Sequence, residues 1–234
     1  SGLAPRYWLI NTGNANAGTG EAGLQDAYAS CAAVAEQAGV EQAQVLPFST
    51  GVIGEPLPME RLLAGLPGAF DTLADSSQAW QQAGEGILTT DTRAKGATVT
   101  VDIGDQQVTI NGITKGSGMI KPNMATMLGF VVTDAAIEQS LLATLLRETV
   151  DRSFNCITVD SDTSTNDACM LAATGTGARI ESDEHITVFR NALQRVMTEL
   201  AQAIIRDGEG ATKFVTLQVN EASTRQEALD VAFT

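Results

Sequence analysis

Histidine is almost absent from this chain, which has one histidine, His185, among 234 residues. A Ser-His-Asp or Cys-His catalytic arrangement within these residues would need that histidine, and no G-x-S-x-G turn accompanies it. His185 follows Ser182 at the predicted start of a helix, where an exposed, non-catalytic residue is the simpler interpretation. The sequence therefore disfavours acyl-transfer chemistry that depends on histidine.

Cysteine is also scarce, and its spacing fits neither a disulfide framework nor a metal site. The three cysteines are odd in number, widely spaced and without a C-x-x-C pair, which is typical of reduced thiols in a cytosolic protein. The sequence contains no H-E-x-x-H motif, no Cys/His cluster and no Walker A motif. We therefore expect no metal and no bound cofactor. The cysteines are Cys31, Cys156 and Cys169.

An acidic run at residues 160–167 has some features of a calcium-binding loop. Thr165 stands at the sixth position, where such a loop needs glycine, and Leu171 stands at the twelfth, where it needs glutamate. We therefore reject calcium binding. The preferred interpretation is a turn whose Asp, Ser and Asn side chains bond to its own backbone, with the lining of a site as the alternative.

Positive charge is in short supply: 14 Lys and Arg residues face 28 Asp and Glu residues, for a net charge of −14. Because no basic cluster occurs, nucleic acid and anionic membranes are unfavourable partners. No apolar run is long enough to span a membrane and no signal peptide opens the chain, so we expect a cytoplasmic location. The chain lacks an initiator Met and stops within an apolar-periodic segment at residues 231–234. We expect it to be an internal portion of a longer protein.

Hydrophobic periodicity predicts mixed helices and strands without a linker, a repeat or a low-complexity tract. Alternation over residues 98–103 and 108–113, around Gly104-Asp105, predicts a hairpin with one buried face. We therefore predict one domain over residues 1–234, of the α/β class, with a layered mixed sheet rather than a Rossmann unit. Other predicted strands are 7–11, 45–49, 126–133 and 212–219; predicted helices are 21–37 (with Gly39 as its C-cap), 59–66, 73–83, 137–154 and one carrying Phe189, Leu193, Val196, Leu200 and Ile204 on one face.

The most informative segment is KGSGMIKPNMATML at residues 115–128. Its glycines and proline predict a loop that cannot be helix or regular strand, and an apolar strand follows at once. Ala125 is small, and Thr126 lies where the constrained loop becomes the strand. This placement suits a threonine that attacks its own preceding carbonyl. It would become a free N-terminal residue that carries both a hydroxyl nucleophile and an α-amine base, whose ordinary pKa is roughly 7.7–8.0.

Three further motifs contain groups that such a nucleophile needs. Thr50-Gly51 offers a hydroxyl and an unobstructed N–H for an oxyanion, or else forms an ordinary strand-to-loop turn. Lys115 is suited to a substrate carboxylate, unless it is a solvated surface lysine. Glu209 in DGEGATK is suited to a substrate amine, unless that motif is only a helix-to-strand turn; Thr89 in TTDT either caps a turn or adds a hydroxyl donor. Together these groups suit an amino-acid substrate.

The motifs NTGNANAGTG, STGVIG, TTDT, KGSGMIKPNMATML, DTSTND and DGEGATKF occur in this order along the chain. The sequence thereby resembles the glutamate N-acetyltransferase (ornithine acetyltransferase) family of arginine biosynthesis over essentially its whole length. The resemblance implies a layered α/β fold similar to that of N-terminal nucleophile hydrolases. It also implies cleavage between Ala125 and Thr126, which would divide the chain into residues 1–125 of an α chain and residues 126–234 of a β chain.

The resemblance assigns roles to the residues singled out above. Thr126 would be the nucleophile, Thr50 and Gly51 the oxyanion hole, and Thr89, Lys115, Thr126 and Glu209 the substrate-binding residues. The implied reaction transfers acetyl from N-acetylornithine to glutamate by a ping-pong route, with acetyl-CoA as a second donor in some members. A heterotetramer of α and β chains is implied as well. Two positions depart from the family pattern: Cys156, where Arg is commoner, and Ser161, where Gly is commoner.

Other functions remain open at this stage. A threonine-nucleophile amidohydrolase or aminopeptidase would use the same nucleophile but pass the acyl group to water. A catalytically silent amino-acid-binding homologue would leave the bond between Ala125 and Thr126 intact. A transferase must bind a second amino acid and exclude water, and the opposite charges of Lys115 and Glu209 favour it.

Overall fold

The computed structural model describes residues 4–120 and 127–234, in which helices and strands are mixed along the chain. Most predicted elements are present within a few residues of their expected ends. The strands are β1 (Tyr7–Asn14), β2 (Val45–Val52), β3 (Lys95–Ile103), β4 (Gln106–Lys115), β5 (Leu128–Thr133) and β6 (Ala168–Ala173). The helices are α1 (Gly20–Ala38), α2 (Met59–Asp71), α3 (Ser77–Gly86), α4 (Gln139–Asp151), α5 (Asp183–Arg206) and α6 (Arg225–Ala232), with short 3-10 turns at Gln42–Gln44 and Phe154–Cys156.

The larger sheet has the strand order β3-β4-β5-β6. The β3–β4 and β4–β5 pairs are antiparallel, whereas the β5–β6 pair is parallel. The predicted mixed sheet and the predicted hairpin are therefore confirmed. The register places Lys115, the last residue of β4, opposite Leu128, and Leu128 opposite Ala168. This register brings the end of β4 beside the start of β5.

Helix α5 packs its apolar face against β3 and β4 and forms the main core. The five residues predicted to share one face are each fully buried, at 0% exposure. Burying a side chain of this size contributes roughly 1.5–3 kcal/mol to folding, so this stripe is a large part of the driving force. Helix α5 therefore fixes the position of the segment that follows it, which includes Glu209.

The smaller sheet consists of β1 and β2, which run parallel and pair Gly13 with Gly51. Phe48 of β2 lies edge-on to Phe130 of β5, with ring centroids 5.0 Å apart. Trp8 of β1 also contacts Phe130, at 5.4 Å between centroids. This aromatic cluster joins the two sheets through apolar packing. It holds the end of β2, and with it Thr50, against the start of β5.

The structure corrects the prediction of a strand at residues 212–219. These residues have no regular secondary structure, and no strand within the described ranges pairs with them. Val215 and Leu217 are exposed, at 68% and 67%. Apolar alternation makes a strand favourable only where a neighbour supplies backbone partners, and none is provided here.

Two predicted helix ends also differ from the structure. The helix expected from residue 73 begins at Ser77, because the hydroxyl of Ser76 accepts the Ala79 N–H and forms the N-cap. The helix expected to reach residue 154 ends at Asp151, and a separate 3-10 turn begins at Phe154. Among the described residues, no helix combines the length and apolar character needed to cross a membrane.

Candidate active site

Lys115 is the centre of the site, because it brings residues from three distant segments together. The Lys115 side chain is almost fully buried, with the residue 2% exposed, which excludes a solvated surface lysine. The ammonium Nζ donates to Thr89 Oγ1 at 2.8 Å and to Thr50 Oγ1 at 3.2 Å. A predicted oxyanion residue, Thr50, and a predicted substrate-binding residue, Thr89, therefore converge on the Lys115 ammonium.

Burial has an electrostatic consequence for this lysine. Desolvation of the ammonium lowers the pKa of Lys115, and the positive charge of Lys95 acts in the same direction. The negative charges of Asp91, Asp167 and Glu209 act in the opposite direction but do not cancel the effect of burial. An ammonium that is poorly solvated in this way gains strongly from an incoming carboxylate.

Thr50 and Gly51 lie inside the parallel ladder of β1 and β2 and not in a strand-to-loop turn, the alternative that the sequence left open. Thr50 is buried, at 3% exposure. Gly51 has φ +134°, and a Cβ at this position would lie 2.3 Å from the carbonyl carbon of Gly13 and 2.4 Å from its oxygen. The backbone there is close-packed and adopts a conformation that favours glycine. The Thr50-Gly51 peptide is thus held rigidly in place, and the Thr50 hydroxyl accepts a hydrogen bond from the Lys115 ammonium.

Glu209 lies in a turn just after α5, on the far side of the glycine loop. Its backbone N–H donates to the Ser117 carbonyl at 2.7 Å. Its carboxylate lies directly above Gly118, where a Cβ would come within 2.8 Å of the Glu209 carboxyl carbon. The side chain is exposed, which leaves the carboxylate available to a cation. Lys115 and Glu209 therefore present opposite charges at the two ends of the Gly116–Gly118 backbone.

Ala125 and Thr126, the predicted cleavage site and nucleophile, lie outside the described residues. The residues on either side of residues 121–126 are held by carboxylates of the acidic run. Met127 N–H donates to Asp167 Oδ1 at 2.7 Å. Met119 and Ile120 N–H donate to the two oxygens of Asp160, at 2.5 and 2.9 Å. Asp160 also accepts the Asp162 N–H and Ser164 the Asn166 N–H, so the acidic run bonds to its own backbone as predicted and to the neighbouring segment as well.

Asp167 is unusual among these carboxylates. Its Oδ2 atom is buried and has no hydrogen-bond partner among the described residues. Burial raises the pKa of Asp167 to about 6, while the Met127 N–H and the Lys115 charge oppose this rise. The folded state consequently binds a proton more tightly than the unfolded chain, and stability decreases as pH rises from about 4 to about 6.

We expect Asp167→Asn to stabilise the protein at pH 7.5 by about 1–2 kcal/mol, since the amide keeps an acceptor for Met127 and removes a poorly solvated charge. The gain should vanish at pH 4, where the aspartate is already protonated in the folded state. Urea unfolding of an uncut Thr126→Ala background measures both free energies on a single chain. A gain that is equal at the two pH values, or a loss at pH 7.5, would contradict the assignment.

Ser161, one of the two departures from the family pattern, adopts φ +66°. This is the left-handed region, which glycine enters freely and other residues enter at a cost of roughly 1 kcal/mol. The backbone conformation that makes serine unfavourable is therefore present. Cys156, the other departure, is exposed, and its Sγ lies 3.2 Å from Arg225 Nη2.

Sequence reasoning missed several charged residues around the site. Asp91 and Asp207 belong to the recognised motifs TTDT and DGEGATK, and Lys95 follows shortly after the first of them. The motifs that contain Asp91 and Asp207 were the signal that could have identified these two residues. The pairing of both with Lys95 depends on tertiary contacts, which the sequence does not show. Over residues 4–120 and 127–234, no cluster of three or more His, Cys, Asp or Glu side chains is arranged to hold a metal ion.

Comparison with known proteins identifies relatives along almost the whole chain. The curated relatives include the arginine biosynthesis bifunctional protein ArgJ of Methylococcus capsulatus, 54% identical over 228 residues, which cover 96% of this chain and 55% of that protein. The ArgJ protein of Pseudomonas fluorescens is 51% identical over 235 residues, which cover 99% of this chain and 58% of that protein. The chain thus spans little more than half the length of these curated relatives.

Two solved structures also match part of the chain. An arginine biosynthesis bifunctional protein ArgJ from Bacillus halodurans is 41% identical, with a TM-score of 0.46 over 50% of this chain and 61% of that one. An ornithine acetyltransferase from Mycobacterium tuberculosis, solved in complex with ornithine, is 32% identical, with a TM-score of 0.42 over the same shares. The ArgJ family model matches residues 3–234. The family resemblance of the sequence is therefore confirmed, and this chain belongs to the ArgJ family.

Proposed function

We propose that the protein containing this chain is an enzyme of arginine biosynthesis that transfers acetyl from N-acetylornithine to glutamate through an acetyl-Thr126 intermediate. The observation that carries the proposal is the convergence of Thr50 and Thr89 on the buried Lys115 ammonium. Family membership and the names of the relatives support the same activity. The enzyme would be a glutamate N-acetyltransferase.

The first step of the proposed mechanism is self-cleavage. The hydroxyl of Thr126 attacks the carbonyl carbon of Ala125, the C–N bond breaks, and the nitrogen takes up a proton to become the α-amine. Water then hydrolyses the resulting ester and restores the free hydroxyl. The products are an α chain ending at Ala125 and a β chain beginning at Thr126, which together form the proposed heterotetramer.

The transfer itself takes two matching half-reactions. The Thr126 hydroxyl loses its proton to the α-amine and attacks the acetyl carbon of N-acetylornithine. The Thr50 hydroxyl and the Gly51 N–H stabilise the oxyanion, and the leaving amine of ornithine takes up the proton. The amine of glutamate then attacks the acetyl ester, and Thr126 leaves as the free hydroxyl.

Lys115 and Glu209 supply the proposed recognition of both amino acids. The poorly solvated Lys115 ammonium pairs with the substrate carboxylate, and the exposed Glu209 carboxylate attracts an ammonium group. No bound cofactor takes part in this scheme. Acetyl-CoA is proposed as a second donor, a reading that the word "bifunctional" in the relatives' names supports. The proposed location is the cytoplasm.

A steady-state assay of the full-length protein tests the proposal. When the concentration of N-acetylornithine is varied at several fixed concentrations of glutamate, we expect parallel double-reciprocal lines. One N-acetylglutamate should form for each ornithine released. Release of acetate without glutamate would favour the amidohydrolase alternative. Absence of both products from a cleaved, folded protein would overturn the transferase proposal.

Replacing Lys115 tests the proposed carboxylate contact. Lys115→Met fills a similar volume but removes the charge. We expect KM for glutamate to rise by about 10–100-fold, because the variant loses one hydrogen bond between charged groups. Competition by decarboxylated substrate analogues should be unaffected, because they lack the group that Lys115 binds. An unchanged KM in the variant would contradict this role. Exposed Lys213, replaced by Met, is the matched control.

A further inference from the structure

Three buried charged side chains lie next to the proposed substrate groups without belonging to them. They are Lys95, Asp91 and Asp207, whose side chains are 1%, 0% and 4% exposed. Lys95 Nζ lies 2.5 Å from Asp91 Oδ1 and 2.5 Å from Asp207 Oδ2. The ammonium therefore links the segment before β3 to the end of α5, which is 112 residues away in the sequence.

Asp91 bonds to the backbone of both segments that carry Thr89 and Lys115. Its Oδ1 accepts the N–H of Gly116, the residue after Lys115, at 2.7 Å. Its Oδ2 accepts the N–H of Thr89 at 3.3 Å. A shift of the Asp91 carboxylate would therefore move Thr89 and Lys115 relative to each other.

Asp207 connects the same cluster to Glu209. Its carboxylate accepts the Thr92 N–H at 3.0 Å and also the Thr92 hydroxyl. Only Gly208 separates it from Glu209 in the sequence. Because Lys95 holds Asp91 on one side and Asp207 on the other, it joins the two halves of the proposed substrate site.

Both carboxylates depend on Lys95 for their charge. Burial raises the pKa of Asp91, but hydrogen bonds from Lys95 and Gly116 reverse the effect and leave the pKa below its usual range. Burial also raises the pKa of Asp207, and hydrogen bonds from Lys95 and Thr92 again lower it overall. Without the ammonium, two carboxylates would remain in the interior with no cation between them, an unfavourable arrangement that forces them apart.

We propose that Lys95 is a positioning residue that sets the spacing between the Lys115 ammonium and the Glu209 carboxylate. This role of Lys95 rests on the transferase function proposed above, and Lys95 itself does not contact the substrate. A substrate bound between the Lys115 ammonium and the Glu209 carboxylate fits only one spacing of these two groups, so loss of Lys95 weakens binding of both substrates. Among the described residues, Lys95 Nζ bonds to Asp91, Asp207 and the Arg93 carbonyl and not to the oxyanion residues, so the chemical step is affected less.

The test compares Lys95→Met with Lys213→Met in the full-length, cleaved protein. We expect KM for glutamate and for N-acetylornithine to rise by about 10–100-fold in Lys95→Met, with kcat within about 5-fold of the wild type. Lys213→Met should match the wild type. If Lys95→Met does not fold, Lys95→Met with Asp207→Asn removes one of the two stranded charges and is used instead. Wild-type KM values in the folded variant would overturn the proposal.

A second readout needs no substrate. Because the Gly116 and Thr92 N–H groups donate to the two carboxylates, their hydrogen exchange reports on the cluster directly. Both amides should exchange at least about 10-fold faster in the variant, while those of the β3–β4 ladder stay protected. Unchanged exchange overturns the proposal even if the wild type transfers no acetyl group. An inactive wild type with faster exchange in the variant would instead count against the transferase function alone.

Discussion

The Thr126→Ala variant is expected to remain one uncut chain, whereas the wild-type full-length protein separates between Ala125 and Thr126. Alanine lacks the hydroxyl that attacks the Ala125 carbonyl, and an uncut chain also lacks the free α-amine that serves as base. Both functions are lost together, so acetyl transfer should fall by at least about 10⁴-fold. Intact-mass spectrometry under denaturing conditions measures the cleavage, and the steady-state assay measures the transfer.

Thr126→Ser is the matched variant, because serine retains both a hydroxyl and, after cleavage, an α-amine. It should still be cleaved and should retain part of the transfer activity. A wild-type protein that stays uncut under folding conditions would deprive the mechanism of its nucleophile. In that event the silent amino-acid-binding homologue becomes the better interpretation. Cleavage of Thr126→Ala at the wild-type rate would show that another group performs the attack.

The parts of the fold that the sequence predicted are those whose periodicity and packing agree. The long helix α5 was predictable because its five apolar residues share one face and find a sheet to cover. The β3–β4 hairpin was predictable because a turn at Gly104 joins two alternating strands. Residues 212–219 show the same alternation without a neighbouring strand within the described ranges, so the pattern alone misled.

In the candidate site too, the sequence predicted some features and missed those that depend on tertiary contacts. The motifs located Thr50, Thr89, Lys115 and Glu209, because each lies in a short segment with characteristic glycines or hydroxyl residues. Sequence could not indicate that Lys115 is buried, since its environment depends on the packing of β2, β4 and the TTDT loop. The pairing of Lys95 with Asp207 was equally inaccessible, because it depends on where α5 ends relative to β3. The burial of Lys115 and the Lys95–Asp207 pair both depend on contacts between segments that are far apart in the sequence, and no local pattern encodes such contacts.

Gly51→Ala is the second variant with a large expected effect, and its cause lies in the β1–β2 ladder. The backbone at Gly51 has φ +134°, and an added Cβ would come within 2.3 Å of the Gly13 carbonyl carbon. Neither strand can accommodate this contact without movement, since the clash is with backbone rather than with a flexible side chain. The Thr50-Gly51 peptide must therefore shift away from the oxyanion position. Loss of one oxyanion donor costs about 10²–10³-fold in kcat.

Gly13→Ala is the control that separates the Cβ clash at Gly51 from the strain of placing alanine at a positive φ. Gly13 also has positive φ, at +98°, but a Cβ there meets nothing within 4 Å. Gly13→Ala should lose about 1–2 kcal/mol of stability from backbone strain, and Gly51→Ala should lose more because the clash with Gly13 adds to the strain; urea unfolding in the uncut Thr126→Ala background measures both losses. Gly51→Ala alone should lose kcat, measured in the cleaved protein, because it alone displaces the peptide that faces Lys115. Equal kcat losses in the two variants would place the effect in the strand pair as a whole and remove the Gly51 N–H from the proposed oxyanion hole.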